Sequence, residues 1–430
     1  MRFTLVLCAI LGLDAAAAAA AEPATIAAAS ILRRAFATAC REAANRANAI
    51  SRRLYWTHIK DHEAPATHRV RGVKRLLFRS NVGDELRMTV FAPGGHVRRI
   101  TAEVHSMSPR GEARPALMAV AGGDCRIIHG RRIEYGDDGR PASVAFLDSD
   151  LQPSGRNEPL DASVPAGGDP GGVAVAVVDS GVNYTLPVIA RRLARDGAGR
   201  TLGHDFWDMD ARPFDLDTSR SPFFPIRHGT RVASILLREA PAARLIPYRY
   251  PRPDLGRLAD LVADAEAKGS IIIALPMGSN KRADWAVFEA AARARAHLLF
   301  IVSAGNNGRD IDTAPVYPAA LPLDNLLVVT SADGDGRLAA GSNWGARHVD
   351  LMVPGEEQPV MNFRGAPTVS SGSSFAVPRV AALAARLLEA HPGWRAPELK
   401  RAIVARARPS PYHRPPVVRH GWIAEPDRDE

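Results

Sequence analysis

The run Gly372-Ser373-Ser374-Phe375-Ala376-Val377-Pro378 places a serine where a loop tightens into a helix, because the apolar stretch 380–388 after it reads as a buried helix. Free backbone N–H groups and the positive end of the dipole surround such a serine. An attacking oxygen and a developing oxyanion are best stabilised there. Gly-Ser-Ser is also common loop sequence, and serine is a common helix cap, so the run carries weight only with partners. Three partners are present. The β-branched and alanine run 173–178 reads as a fully buried parallel strand and ends at Asp179-Ser180-Gly181. A carboxylate at that end of a strand lies where open α/β sheets place their chemistry. His228-Gly229-Thr230 opens a helix, with Gly229 allowing close backbone approach. The strand 298–302 runs into Ser303-Ala304-Gly305-Asn306, whose amide is placed to donate to an oxyanion.

The order Asp179, His228, Asn306, Ser374 resembles that of the subtilisin-like serine proteases, the subtilases, over residues 171–407. Gly341-Ser342-Asn343-Trp344-Gly345, the run 349–355 and Val316-Tyr317-Pro318-Ala319 resemble other segments of that family. The resemblance implies Ser374 as nucleophile, His228 as general base and then acid, and Asp179 as the group that orients the imidazole. It implies an oxyanion hole of Asn306 and the Ser374 N–H, and a cis Tyr317–Pro318 peptide. Substrate contacts fall on Met277, Gly278, Ser303, Ala304 and Gly305. The stretch Leu275-Pro276-Met277-Gly278 departs from the family's pattern, and Pro276 brings no N–H. Ser373, Phe375, Arg231 and Arg379 also depart from it, and we read them as packing variants. The implied fold class is α/β, a parallel-sheet catalytic domain preceded by a smaller, mainly β domain.

Residues 68–148 read as strands at 73–79, 85–92, 97–105, 114–120, 126–135 and 142–147, joined by hairpin turns such as Ala92-Pro93-Gly94-Gly95. A helical pattern precedes them at 35–54. From 171 onward strands alternate with helices, at 255–268 before 271–275 and at 285–296 before 298–302. The predicted organisation is a signal peptide at 1–21, a mainly β accessory or propeptide-like domain at 22–152, a Pro- and Gly-rich linker at 153–170, a peptidase domain at 171–410 and an irregular tail at 411–430. The β region lacks the helix–strand alternation expected of a subtilase propeptide, which favours a retained accessory domain.

Met1-Arg2 followed by an apolar and alanine-rich stretch to Ala21 has the make-up of a secretory signal. Periplasmic or extracellular localisation follows, and no later run is apolar and long enough for membrane insertion. Cys8 would leave with the signal. Cys40 and Cys125 either pair in an oxidising compartment or stay as buried thiols. The formal charge of +9 comes almost wholly from arginine, without a basic patch interleaved with aromatics, so nucleic acid is excluded as a partner. Asp205, Asp208, Asp210, Asp215 and Asp217 read as a charged, solvated loop. The resemblance allows structural calcium, but no ligand spacing for it is visible, and the chemistry requires no cofactor. The expected function is an exported serine endopeptidase acting on peptide or protein. The alternative is a catalytically impaired relative that binds peptides. An esterase of α/β-hydrolase type is excluded by the chain order and by the absence of Gly-x-Ser-x-Gly at Ser374.

Overall fold

The computed structural model describes residues 13–41, 46–61, 72–108, 111–252 and 254–428. The predicted signal peptide falls partly outside them: residues 1–12, Cys8 included, are not described, and helix α1 begins at Leu13. The chain forms two compact units. One holds the residues up to Asp161 together with Ser221–Phe224, and the other holds Ala162–Arg220 and Pro225–Glu430.

In the first unit, helices α1 (Leu13–Arg41) and α2 (Arg46–Leu54) precede eight strands. These are β1 (Thr57–Asp61), β2 (Val73–Arg79), β3 (Glu85–Phe91), β4 (Arg99–Met107), β5 (Ala113–Gly122), β6 (Ile127–Tyr135), β7 (Pro141–Leu147) and β8 (Pro153–Pro159). They pair antiparallel in sequence order, as short hairpin loops dictate. Leu32, Ala35, Phe36 and Ala39 of α1 pack with Leu76, Phe78, Leu86, Met88, Val90 and Ile100 of the sheet. The i, i+3, i+4 spacing on the helix thus meets alternate positions on the strands. Cys40 and Cys125 form a disulfide across 85 residues. The expected linker is corrected at its first half. Residues 153–159 are edge strand β8, almost wholly exposed, so no apolar alternation marked them. From Ala162 on, the segment is tied down within the second unit. Tyr184 donates to Ala162 O (2.6 Å) and Arg195 to Pro165 O (2.7 Å).

The second unit is built on a seven-stranded parallel sheet of order β10-β11-β9-β12-β13-β14-β15. Its elements are β9 (Ala174–Asp179), α3 (Pro187–Ala190), β10 (His204–Asp205), α4 (Gly229–Glu239), β11 (Arg244–Arg249), α5 (Leu258–Ala267), β12 (Ile272–Leu275), α6 (Ala286–Arg293), β13 (Leu299–Ser303), β14 (Leu326–Ala332) and β15 (Leu351–Pro354). The hairpin β16 (Gln358–Met361) and β17 (Pro367–Ser370) leads into α7 (Ser373–Ala390), and α8 (Ala396–Val404) follows. Strand β9 is buried throughout because both its faces are covered. Val175 and Val177 pack with Val232, Leu236, Val380 and Leu383 of α4 and α7, whereas Ala176 and Val178 pack with Leu261, Val262 and Phe288 of α5 and α6. Each such Val or Leu contributes about 1.5–3 kcal/mol by leaving water.

Among the described residues, the tail after residue 410 has no helix or strand, yet it is part of this unit. Val418 and Ile423 are buried, and Trp422 bridges to Met352 and Arg408. Among the described residues, no helix is long and apolar enough to cross a membrane.

Candidate active site

Neighbouring strands of the parallel sheet end side by side. The C-terminal end of β9 carries Asp179, that of β12 leads into Pro276-Met277-Gly278, and that of β13 leads into Ala304-Gly305-Asn306. Helices α4 and α7 start at the same edge, one behind His228 and the other at Ser373. The sheet's register thus gathers residues up to 195 positions apart (179 to 374).

The Asp179 carboxylate accepts from His228 Nδ1, with oxygens at 2.8 and 2.9 Å. The other ring nitrogen, Nε2, is left for a substrate or nucleophile. Asp179 is buried and the His228 side chain is 28% exposed, so a proton passed to the ring reaches solvent from one side. Burial disfavours the imidazolium, but the charge and hydrogen bond of Asp179, with Asp215 adding to them, outweigh it; Arg231 acts in the opposite sense. The His228 pKa is raised. Gly229 lets α4 start here, because a Cβ on it would collide with the Gly181 carbonyl.

Behind this pair lies a buried network that sequence reading did not foresee. Ser180 Oγ is 2.6 Å from Asp215 Oδ1 and 3.1 Å from Asp179 Oδ1, and it accepts from the N–H groups of His228 (3.2 Å) and Gly229 (3.0 Å). Asp215 Oδ2 accepts from the Thr230 N–H (3.0 Å) and hydroxyl (2.5 Å). Asp215 therefore caps the first turn of α4 from a distant part of the chain. It is fully buried, which pushes its pKa up. Its one visible sequence signal is membership of the aspartate cluster, and there the expectation of a solvated loop is corrected. Asp205 is buried against Arg249 (2.8 Å), and burial raises its pKa. Asp208 also reaches Arg249, Asp210 pairs with Arg212, and Asp217 accepts from Tyr250 (2.5 Å). These carboxylates are engaged by arginines and local donors. Among the described residues, no group of three or more His, Cys, Asp or Glu is placed to hold a metal ion.

Ser373 and Asn306 are held together. Asn306 Oδ1 accepts from the Ser373 N–H (2.9 Å) and hydroxyl (3.0 Å), and the Gly305 N–H donates to the same hydroxyl oxygen (3.2 Å). With its oxygen so engaged, the exposed Asn306 has Nδ2 as its side-chain donor. Gly372, at φ 127°, takes a conformation that an L side chain rarely adopts, and a Cβ there would press on the Asn306 amide at 3.1 Å. Ser374 stands in the first turn of α7, where its N–H has no intrahelical acceptor. Its hydroxyl donates to Pro276 O at 3.2 Å. Phe375 brings this turn against His228, ring centroids 5.5 Å apart.

The departures from the family pattern are therefore not all packing variants. Ser373 orients Asn306 through polar bonds, Arg231 lowers the basicity of His228, and Arg379 makes a buried ion pair with Glu239. Phe375 alone acts by packing.

Of the expected substrate contacts, Gly278 is exposed beside half-buried Met277, whose N–H bonds to Leu275 O at 2.8 Å. Ser303 and Ala304 are buried. The Ala304 N–H bonds to Val329 O and its carbonyl to Asn343 Nδ2, while the Gly305 carbonyl accepts from the Asn343 N–H. Ser303 and Ala304 therefore offer no surface to a substrate, and of the three only Gly305 is partly exposed. Val316 stands between the two segments. Its Cγ1 is 3.4 Å from the place a Cβ on Gly278 would occupy and 3.8 Å from that on Gly305. The following Tyr317–Pro318 peptide is cis. His204 packs edge-on against Phe206 and takes no part in this arrangement.

A parallel sheet with an Asp–His pair, an oriented amide and a serine at one edge is the arrangement of serine hydrolases of subtilisin type. The comparisons agree: the model of the subtilase family matches residues 171–421, and the chain belongs to that family. It is 29% identical over 230 residues to a thermophilic serine proteinase of Bacillus sp. (strain AK1), covering 50% of this chain and 52% of that protein. It is 28% identical over 264 residues to alkaline serine exoprotease A of Vibrio alginolyticus, covering 59% and 45%. The chain thus spans about half the length of these curated relatives. Among solved structures, a lanthipeptide protease superposes with a TM-score of 0.50 at 21% identity, over 60% of this chain and 88% of that one. The subtilase cytotoxin gives the same TM-score and identity over 60% and 89%. At that identity the likeness speaks for the fold.

Proposed function

We propose that the chain is an exported serine endopeptidase that cleaves peptide bonds in peptide or protein substrates through an acyl-enzyme. The observation that carries this reading is the His228–Asp179 hydrogen bond at the sheet edge where α7 presents Ser374. In this reading the Ser374 hydroxyl turns from Pro276 O toward His228 Nε2 when substrate binds. Its oxygen attacks the scissile carbonyl carbon, and its proton passes to Nε2. Asp179 holds Nδ1 and stabilises the imidazolium. The oxyanion takes hydrogen bonds from Asn306 Nδ2 and the Ser374 N–H. Collapse expels the amine with the proton from Nε2, and water then releases the acyl group by the same steps in reverse. No cofactor enters this chemistry.

Export to the periplasm or beyond rests on the signal-like residues 1–21, and the Cys40–Cys125 disulfide supports it. Residues 22–152 are proposed as an accessory domain that persists in the mature protein. N-terminal sequencing of secreted protein checks this: a start near Glu22 fits, and a start near Gly171 contradicts it.

A second reading, a peptide-binding relative without turnover, is favoured by the Ser374–Pro276 hydrogen bond, which leaves the hydroxyl turned away from the imidazole. Turnover of a peptide library by wild type and Ser374→Ala separates the two. The endopeptidase reading predicts loss of activity by several orders of magnitude in the variant. Equal turnover, or none by either protein, contradicts it.

A further inference from the structure

The helix that carries Ser374 and the helix that starts behind His228 are joined by a buried ion pair. Arg379, five residues after Ser374, is 7% exposed, and its Nε donates to both oxygens of Glu239 at 2.9 and 3.1 Å. Glu239 is the last residue of α4 and is 8% exposed. Two further donors of the same guanidinium reach Pro354 O at the end of β15 (3.1 Å) and Asp427 Oδ1 in the C-terminal segment (2.7 Å). About two turns further along α7, Arg386 donates to Glu239 O (2.6 Å) and Pro426 O (2.7 Å). The planar fork of arginine satisfies three directions at once, which a lysine ammonium on a flexible stem does not.

The place of this joint matters. Pro378 lies inside α7 and has no N–H, so the Ser374 carbonyl receives no intrahelical hydrogen bond from it. The first turn of α7 is thus less restrained by its own helix. The next residue, Arg379, fixes the helix to α4, to β15 and to Asp427. We propose that Arg379 and Glu239 are positioning residues that set the distance and angle between Ser374 and His228. This rests on the endopeptidase reading, since only turnover requires that distance to be exact. A shift of about 1 Å far from the reacting atoms costs up to about 10²-fold in rate.

The test compares wild type with the double variant Arg379→Met, Glu239→Leu in the full chain. Replacing a buried ion pair by apolar groups of similar volume is often neutral or stabilising, so the variant is expected to fold. Active sites are counted with a fluorophosphonate, and kcat is expressed per labelled site. The expected result is a melting midpoint near that of wild type, KM within about twofold and kcat lower by about ten- to a hundred-fold. Arg379→Lys with native Glu239 should recover only part of the loss. Asp427→Asn should change kcat less than about twofold, because that carboxylate is 47% exposed and its pairing is screened. If the double variant fails to fold, Arg379→Lys and Glu239→Asp carry the same kcat-against-KM measurement. Wild-type kcat per labelled site in the folded variants overturns the inference, even if fewer sites are labelled. A wild type that neither hydrolyses peptides nor takes the label overturns the endopeptidase reading and the inference with it.

Discussion

Asn306 is oriented by Ser373: its side-chain oxygen accepts from the serine's N–H at 2.9 Å and from its hydroxyl at 3.0 Å. Removing the hydroxyl leaves one of the two bonds and frees the amide to rotate. Asn306→Ala should lower kcat by roughly 10²–10³-fold, the usual cost of an oxyanion donor. Ser373→Ala should lower it by less, about tenfold, with KM little changed, and Ser373→Thr should keep most of the activity because the hydroxyl stays. Steady-state kinetics of the three variants checks this. A change confined to KM for Asn306→Ala would mean that its amide does not face the oxyanion.

The raised pKa of His228 fixes the sign of the pH response. The neutral ring is the base, so activity should fall on the acid side through a pKa above the ordinary histidine value near 6.5. Arg231 opposes the imidazolium, so Arg231→Gln should move that limb to higher pH. The same shift acts on stability: protonated His228 stabilises the fold below the ordinary value, and this contribution is lost as pH rises through the raised one. Profiles of kcat/KM against pH for both proteins test the direction. A limb that moves to lower pH in Arg231→Gln contradicts the account.

Val316 stands between the 277–278 and 304–305 segments, with Cγ1 3.4 Å and 3.8 Å from the places that Cβ atoms on Gly278 and Gly305 would occupy. In the endopeptidase reading, an extended peptide laid along Met277–Gly278 with its reacting carbonyl at Ser374 would point the side chain of its acyl residue between the 277–278 and 304–305 segments. The Val316 methyl groups already stand there, near the positions that side chains on Gly278 and Gly305 would fill. Substrates with alanine or another small residue at that position should be cleaved faster than those with phenylalanine. Val316→Gly should raise kcat/KM for phenylalanine by about tenfold or more, in line with the worth of a few methylene groups in a pocket. A wild-type preference for phenylalanine would refute this placement.

Asp215 supports the Asp179–His228 pair without touching substrate. Asp215→Asn is not a silent replacement. One oxygen faces two donors of Thr230, and the other faces Ser180 Oγ, which already accepts from two backbone N–H groups. An NH₂ on either side meets no free lone pair. The variant should lose about 1–3 kcal/mol of stability in urea titration. Its kcat should fall with it, because an NH₂ there displaces Ser180 Oγ, which accepts from the His228 N–H. Unchanged stability and rate would show that the network is dispensable.

The residues proposed to do the chemistry were legible because each sits at a strand end or helix start with a strong local pattern. The run 173–178 marks Asp179, and the turn sequences around residues 372–378 and 228–230 mark the serine and the histidine. Six of the first unit's strands were legible for a similar reason, since their alternating apolar faces pack on α1. Strand β8 was not, because an edge strand exposed on both faces carries no alternation. Asp215, Ser180 and Glu239 were not legible either. Their roles depend on partners brought close by the fold, and an isolated Asp, Ser or Glu has no sequence signature for that. Arg379 and Ser373 were visible as departures, but their hydrogen bonds reach across the chain to Glu239 and Asn306, and spacing along the sequence does not report such contacts.

Covalent labelling of the purified full chain by a fluorophosphonate, with the modified residue located by mass spectrometry, tests the central claim most directly. The account predicts one modified site, Ser374, reacting quickly in wild type, slowly in His228→Ala and not at all in Ser374→Ala. The hydroxyl's hydrogen bond to Pro276 O makes the result informative, because a serine locked in that direction would not be activated. Modification of a different residue, or wild type and His228→Ala labelling at equal rates, would contradict the account.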